Sequence, residues 1–285
     1  MSEYVEIFEM GPRDGLQNEK RQIPTAEKIG LVDCLSQAGF KRIEVASFVS
    51  PKWVPQMADS GDVLAGITRA NGVSYAALTP NMRGFDGAVA AKADEIAIFG
   101  SASEGFSKAN INATIAESLE RFVPIMEAAK SISLPVRGYV SCVTDCPYDG
   151  PTPPEKVAEV AKHLFDAGCY EISLGDTIGQ GTPETITAML RAVLDVVPAD
   201  KLAGHYHDTA GRALANIEAS LALGVRVFDA AVGGLGGCPY APGAKGNVAT
   251  EAVNARLVEL GYDTGLNTEI LTQAAEMARS MRVEG

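Results

Sequence analysis

Leu202-Ala203-Gly204-His205-Tyr206-His207-Asp208-Thr209-Ala210-Gly211 reads as a strand that ends and turns into a helix. Side chains alternate faces along a strand, so His205 and His207 point the same way, about one strand repeat apart. Two of the chain's three histidines therefore converge at one strand end. Neutral imidazole is a common ligand for divalent transition metals, so the pair is either part of a metal site or a hydrogen-bonded structural pair. The ends of the other strands bear on that choice.

The same strand-then-helix unit recurs along the chain. Short β-branched runs fall near 4–9, 42–48, 73–78, 95–99, 136–142, 170–174, 202–207 and 225–231. Helical stretches lie between them near 25–38, 59–70, 82–92, 112–131, 154–167, 183–196 and 211–223, with another at 248–260. This alternation builds βαβ units around a parallel sheet, and eight strands each followed by a helix match the (β/α)8 TIM barrel. Pro24-Thr25, Pro153-Pro154 and Thr182-Pro183 open helices, where proline forfeits no hydrogen bond. A last stretch, 267–282, keeps Ile270, Leu271, Ala274, Ala278 and Met281 on one face and predicts an additional C-terminal helix packed on the barrel. The alternative, an open doubly wound sheet, predicts fewer strands and a phosphate-binding turn after the first.

Composition bounds the class. With 285 residues, 46% of them hydrophobic, the chain can bury a large core, and barrels of this kind use about 250 residues as one unit. One catalytic α/β domain over 1–285 is expected. No apolar run approaches the roughly 20 residues of a membrane span. The opening Met1-Ser2-Glu3-Tyr4-Val5-Glu6-Ile7 is acidic and strand-like, without a signal-peptide core, so a cytoplasmic location is expected. A formal charge of −12 argues against nucleic acid or an anionic membrane as partner. Five scattered cysteines, Cys34, Cys142, Cys146, Cys169 and Cys238, suit a reducing compartment. Cys142 and Cys146 lie near a zinc-like spacing but lack a second pair, so they read as structural.

Barrel enzymes keep their chemistry at the C-terminal ends of the strands. After the first strand comes Gly11-Pro12-Arg13-Asp14-Gly15-Leu16-Gln17. Asp14 could complete a metal site with the two histidines, and Arg13 supplies a charged planar fork, although Asp-Gly is also ordinary turn chemistry. Glu44, between Ile43 and Val45 on a strand expected to be buried, is either functional or paired with an arginine across the barrel. Asp176, in Ser173-Leu174-Gly175-Asp176-Thr177, serves either the active rim or a turn. Residues 232–247 hold six glycines in sixteen positions and one thiol, Cys238. A loop this rich in glycine is either flexible or lets backbone approach a ligand closely, and neither the G-x-G-x-x-G nor the P-loop spacing is present. Asn247 offers a side-chain carbonyl to an oxygen-loving ion, or else caps the next helix.

Three stretches, Gly11-Pro12-Arg13-Asp14-Gly15-Leu16-Gln17-Asn18-Glu19, Ser47-Phe48-Val49-Ser50-Pro51-Lys52-Trp53-Val54-Pro55-Gln56 and Gly234-Leu235-Gly236-Gly237-Cys238-Pro239-Tyr240, closely resemble the bacterial-type 3-hydroxy-3-methylglutaryl-CoA lyase family. The likeness continues through Arg137-Gly138-Tyr139-Val140-Ser141-Cys142 and Gly168-Cys169-Tyr170-Glu171-Ile172-Ser173-Leu174-Gly175-Asp176-Thr177, and so covers essentially the whole chain. Arg-Asp and His-x-His are shared with a wider group of metal-dependent barrel lyases and acyl-CoA condensing enzymes. The Gly-Gly-Cys-Pro loop narrows the match to the lyase. The resemblance implies that Asp14, His205, His207 and Asn247 hold a divalent cation, Mg2+ or Mn2+. It also implies that Arg13, with Gln17, meets the acyl-CoA substrate, that Cys238 is catalytic, and that the protein is a homo-oligomer, a dimer in this family. Ala210 stands where a tyrosine or another larger residue is usual, and Lys245 replaces a small loop residue; neither removes a ligand.

The implied reaction is retro-Claisen cleavage of 3-hydroxy-3-methylglutaryl-CoA to acetyl-CoA and acetoacetate, as in leucine degradation. A base takes the tertiary hydroxyl proton, Arg13 stabilises the thioester enolate, and the Cys238 thiol protonates it. Asp14 and His205 are both candidates for the base, with Glu44 or Asp176 as acid partners. Two other readings stay open: a lyase for a longer branched 3-hydroxyglutaryl-CoA, and a condensing acyltransferase, for which extra C-terminal sequence is expected. A catalytically silent barrel fits poorly with the intact set of Arg13, Asp14, His205, His207 and Cys238.

Overall fold

The computed structural model describes residues 2–236 and 246–282. Eight parallel strands close on themselves: β1 (Glu6–Glu9), β2 (Arg42–Ser47), β3 (Ser74–Leu78), β4 (Glu95–Ser101), β5 (Val136–Ser141), β8 (Glu171–Asp176), β9 (Leu202–Tyr206) and β10 (Val227–Ala230). Around the barrel the order is β1, β10, β9, β8, β5, β4, β3, β2. The closing seam pairs Phe8 with Asp229, while Glu9 faces Ile43 on the other side of β1. A strand bonded on both edges in this way excludes the open doubly wound sheet. All eight strands lie where the β-branched runs place them. The closed parallel barrel with its helices is the (β/α)8 architecture.

The helices are α1 (Thr25–Ser36), α2 (Ser60–Gly66), α3 (Met82–Ala90), α4 (Glu104–Ile111), α5 (Ile115–Ser131), α6 (Pro154–Asp166), α7 (Pro183–Leu194), α8 (Ala213–Ala222), α9 (Thr250–Glu259) and α10 (Thr268–Ser280). Pro154 and Pro183 occupy first helical positions, and Thr182 caps α7 by accepting from the Thr185 amide. The expected helix over 112–131 is in fact α5 alone, with the shorter α4 before it. Asn112 adopts φ 50°, a left-handed conformation that ends α4. Thr114 and Glu117 then form a reciprocal capping box that starts α5. A second departure is the hairpin of β6 (Asp145–Cys146) and β7 (Gly150–Pro151), too short to leave a pattern in the sequence.

The main apolar core lies between sheet and helices, where residues such as Ile43, Ile98, Ile172, Val157, Leu190 and Ile217 are almost fully buried. Each such side chain contributes roughly 1.5–3 kcal/mol relative to exposure. Helix α10 extends this layer with Leu271, Ala274, Ala275 and Ala278, packed on α1 and on the turn Val232–Gly234. Gly233 sits there at φ 65°, and a Cβ on it would stand 3.0 Å from Cβ of Ala278.

The barrel lumen combines a small apolar cluster around Phe8, Met10 and Leu78 with a chain of buried ion pairs. Arg42 donates to Glu6 at 2.6 Å and to Glu171 at 2.9 Å. Arg137 donates to Glu171 at 2.6 Å and to both oxygens of Asp229. The Phe8 ring receives both guanidinium groups, at 4.6 and 4.5 Å from its centroid. Buried pairs of this kind roughly break even against apolar packing, but removing one partner costs about 3–5 kcal/mol.

Glu9, fully buried at the end of β1, accepts from the amides of Gly11 at 2.7 Å and Val232 at 2.9 Å, and from the Thr250 hydroxyl at 2.6 Å. It ties together the turns after β1 and β10 and the first residue of α9. Burial outweighs these three donors and raises its pKa from 4.5 to about 7. A carboxyl whose folded pKa is raised stabilises the fold fully below about 4.5, and that stability is lost as pH rises through about 7. We expect this group to contribute about 3 kcal/mol that disappears across that window. Glu9→Gln, which keeps an acceptor for the two amides, should flatten the pH dependence of Tm between pH 5 and 8. A profile parallel to wild type would assign that dependence to other groups.

Candidate active site

The site grows from two strand ends. After β1 the chain makes a wide turn, Gly11–Gly15, in which the Met10 carbonyl accepts from the amides of Arg13, Asp14 and Gly15. This turn lifts Arg13 and Asp14 over the C-terminal mouth. On β9, Tyr206 faces outward and its hydroxyl meets Ser220 of α8 at 2.8 Å. An added Cβ on Gly204 would stand 2.8 Å from the Tyr206 ring, so the glycine gives that ring its room. His205 and His207 therefore face the other way, as the period of two requires.

Asp14, His205 and His207 each place a ligand atom within 4.8 Å of the others, which is a group able to hold a metal ion. The two Nε2 atoms are 3.3 Å apart, and Nε2 of His205 is 3.8 Å from Oδ2 of Asp14. Two ligands bound at right angles, each about 2.1 Å from one ion, stand about 3 Å apart, so the pair fits a single octahedral cation. Asn247 joins the cluster through Nδ2, which donates to Oδ2 of Asp14 at 2.8 Å, and Gln17 donates to Oδ1 at 2.8 Å. The N-cap of α9 is Ala249, so Asn247 is not a helix cap.

Electrostatics divide the cluster. Burial opposes charge on Asp14, yet Arg13 and the two imidazoles overcome it and hold the carboxyl down at about 2. Burial, with His205 beside it, lowers His207 to about 4, so His207 is neutral at pH 7. His205 is raised above the usual imidazole value: burial opposes this, but the hydrogen bond and charge of Asp229, with Asp14, prevail. Arg13 is almost fully buried; its Nε donates to Glu44 and its Nη1 donates to Asp14 at 2.6 Å. Glu44 also accepts from the Tyr139 hydroxyl at 3.1 Å. A cavity of about 1120 Å3 opens over these groups, lined by Arg13, Asp14, His205 and His207 and farther out by Trp53 and Arg121.

The fold thus gathers Arg13, Asp14, Gln17, Glu44, His205, His207 and Asn247. Asp176 is placed differently. Its oxygens accept from Thr144 at 3.0 Å and from the amides of Gln180 and Gly181, so its carboxylate organises the loop after β8. Cys238 and Lys245 lie outside the described residues. Ala210 is exposed in the turn after β9. Cys142, Cys146 and Cys169 are buried free thiols, in keeping with a structural role, and Cys34 is partly buried on α1.

Sequence reasoning missed Asp229, Tyr139 and Arg137. Oδ2 of Asp229 lies 3.1 Å from Nδ1 of His205, and Arg137 joins Asp229 to the Tyr139 hydroxyl. The signals were present: Asp229 stands in an apolar strand as Glu44 does, and Arg137 and Tyr139 alternate on β5 as the two histidines do on β9.

A closed parallel barrel with a carboxylate, two imidazoles and a buried arginine at its C-terminal rim is the layout of a barrel enzyme. Residues 4–278 match the HMGL-like family model, and the chain belongs to that family. It is 58% identical over 272 residues to the mitochondrial hydroxymethylglutaryl-CoA lyase of Rattus norvegicus, spanning 95% of this chain and 84% of the rat protein. It is 57% identical to a 3-hydroxy-3-isohexenylglutaryl-CoA/hydroxy-methylglutaryl-CoA lyase of Pseudomonas aeruginosa, over 95% of this chain and 91% of that protein. The crystal structure of the HMG-CoA lyase from Brucella melitensis superposes with a TM-score of 0.98 at 63% identity, covering 99% of each chain.

Proposed function

We propose that this chain, acting as one catalytic domain, is a divalent-metal-dependent carbon–carbon lyase that cleaves 3-hydroxy-3-methylglutaryl-CoA to acetyl-CoA and acetoacetate. The observation that carries the reading is the convergence of Asp14, His205 and His207 beside Arg13 in one cavity. The rat relative, at 58% identity, is named for this substrate, and the Pseudomonas aeruginosa relative, at 57%, is named both for it and for the longer branched 3-hydroxy-3-isohexenylglutaryl-CoA. The condensing-enzyme alternative is not favoured by these relatives. No helix among the described residues is long and apolar enough to cross a membrane. A cytoplasmic homodimer using Mg2+ or Mn2+ completes the proposal.

Asp14, His205, His207 and Asn247 would hold the cation, which when bound supplies Lewis-acid polarisation of the substrate's hydroxyl and carboxylate oxygens. The O–H electron pair becomes the new carbonyl, the C2–C3 pair moves onto the thioester as an enolate, and C2 takes a proton. The hydroxyl proton goes to one of the two candidate bases, Asp14 or His205, through an atom that is not bound to the cation. Arg13 spends Nε and Nη1 on Glu44 and Asp14, which leaves Nη2 for the thioester oxygen as charge develops. Glu44 fixes the plane of that guanidinium. The Cys238 thiol donates the proton to C2, a role that rests on the resemblance of its loop to the family.

Acetyl-CoA release from a panel of 3-hydroxyacyl-CoA thioesters, with Mg2+ or Mn2+ added, tests the proposal directly. Cleavage of 3-hydroxy-3-methylglutaryl-CoA at rates well above the rest is expected, and its absence would defeat the reading. In the same assay Cys238→Ser should lose about 100-fold or more in kcat, because a hydroxyl is a far weaker acid than a thiol. Wild-type turnover in that variant would remove the thiol from the chemistry.

A further inference from the structure

We propose that Asp229 is a positioning residue that fixes the ring orientation and tautomer of His205. This inference rests on the cation reading above and extends it to the layer beneath the ligands. Asp229 on β10 lies directly opposite His205 on β9 in the parallel register, so both side chains enter the lumen together. Its side chain is fully buried. Oδ1 accepts from Nη2 of Arg137 at 2.8 Å. Oδ2 accepts from Nη1 of Arg137 at 3.0 Å and from the Ser173 hydroxyl at 2.7 Å, and it faces Nδ1 of His205 at 3.1 Å.

The tautomer follows from who can donate. With Arg137 bonded to both oxygens, Asp229 is an ionised carboxylate, and an ionised carboxylate only accepts. The imidazole nitrogen facing it must therefore carry the proton. Neutral His205 is then protonated on Nδ1 and presents the Nε2 lone pair toward Oδ2 of Asp14 and Nε2 of His207. A carboxylate behind a ligating histidine orients the ring and increases its donor strength. Arg137 is in turn held by Glu171 at 2.6 Å, and Glu171 by Arg42, so the salt-bridge chain of the lumen ends on the candidate ligand.

A counter-ion for Arg137 alone would have the same contacts without acting on the cation, and paired variants separate the two roles. Asp229→Asn leaves one acceptor oxygen where four donor groups now converge. Glu171→Gln removes Arg137's other carboxylate and leaves His205 untouched. Mn2+ affinity, read by the electron paramagnetic resonance of free Mn2+, should weaken roughly 10- to 100-fold in Asp229→Asn and stay within about twofold of wild type in Glu171→Gln. Equal losses in both, or wild-type affinity in Asp229→Asn, would overturn the proposal.

Because Asp229→Asn could unfold the barrel, the tautomer is also read in the unaltered protein. In 15N-histidine-labelled, Mg2+-loaded protein, with the His205 signals identified by their loss in His205→Gln, Nδ1 should carry a proton and Nε2 none. A proton on Nε2 would overturn the assignment. Failure of the cation reading looks different: wild type itself would then bind no Mn2+, while the same spectrum recorded without Mg2+ still decides which nitrogen Asp229 holds protonated.

Discussion

His207→Ala is expected to lower turnover by roughly a thousandfold and to weaken Mn2+ binding by about 100-fold or more, while Tm stays within a few degrees of wild type. The asymmetry follows from what the imidazole does in the fold. It is neutral at pH 7, because burial and the neighbouring His205 hold it near 4, so its removal takes no charge from the barrel. Its ring lines the open cavity and touches His205 at 5.3 Å between centroids, so alanine leaves a space that water can enter. What is lost is one converging donor. Asp14, His205 and Asn247 remain, but the three leave one more position of the octahedron without a protein donor. Metal titration, thermal unfolding and initial rates on one preparation check all three parts. Near-normal rates at low metal would show that the cluster does not bind the cation.

Arg13→Lys should reduce kcat by about 100- to 1000-fold with a smaller change in KM. Lysine keeps the charge and loses the planar fork. In the wild type, Nε meets Glu44 and Nη1 meets Asp14, so a single ammonium cannot hold both carboxylates and still reach a thioester oxygen. Glu44 keeps the Tyr139 hydroxyl as a donor, which limits the damage to the fold. The effect should concentrate on kcat because the thioester oxygen is neutral in the bound substrate and gains its charge only as the C2–C3 bond breaks. Unchanged kcat with a raised KM would make Arg13 a ground-state anchor.

Both predictions concern side chains that the sequence singled out, and the reason is local. Periodicity of two puts His205 and His207 on one face whatever the rest of the chain does, and an Asp in the turn that follows a strand's C-terminal end falls at the rim of a parallel barrel. The strand count was legible for the same reason. Eight β-branched runs separated by amphipathic stretches cannot bury both faces of a parallel sheet except beneath a layer of helices. The boundary between α4 and α5 was less legible, since a left-handed Asn112 is a single backbone choice with little compositional trace.

The sequence by itself determined the eight alternating strand-and-helix units, the same-facing pair of histidines and a carboxylate and an arginine after the first strand, because each is a pattern within or between neighbouring elements; closure of the sheet into a barrel was decided by the tertiary structure. Partnership was decided only by closure. Glu44 could have been catalytic or paired across the barrel; β2 lies beside β1 in the sheet, and the turn after β1 brings Arg13 to it. Asp176 could have faced the substrate, but the amides of Gln180 and Gly181 take its oxygens instead. Asp229 lies 24 residues from His205 in the chain and directly opposite it in the sheet. A hydrogen bond needs its two atoms within about 3 Å, and residues this far apart meet only when the whole barrel has set its register.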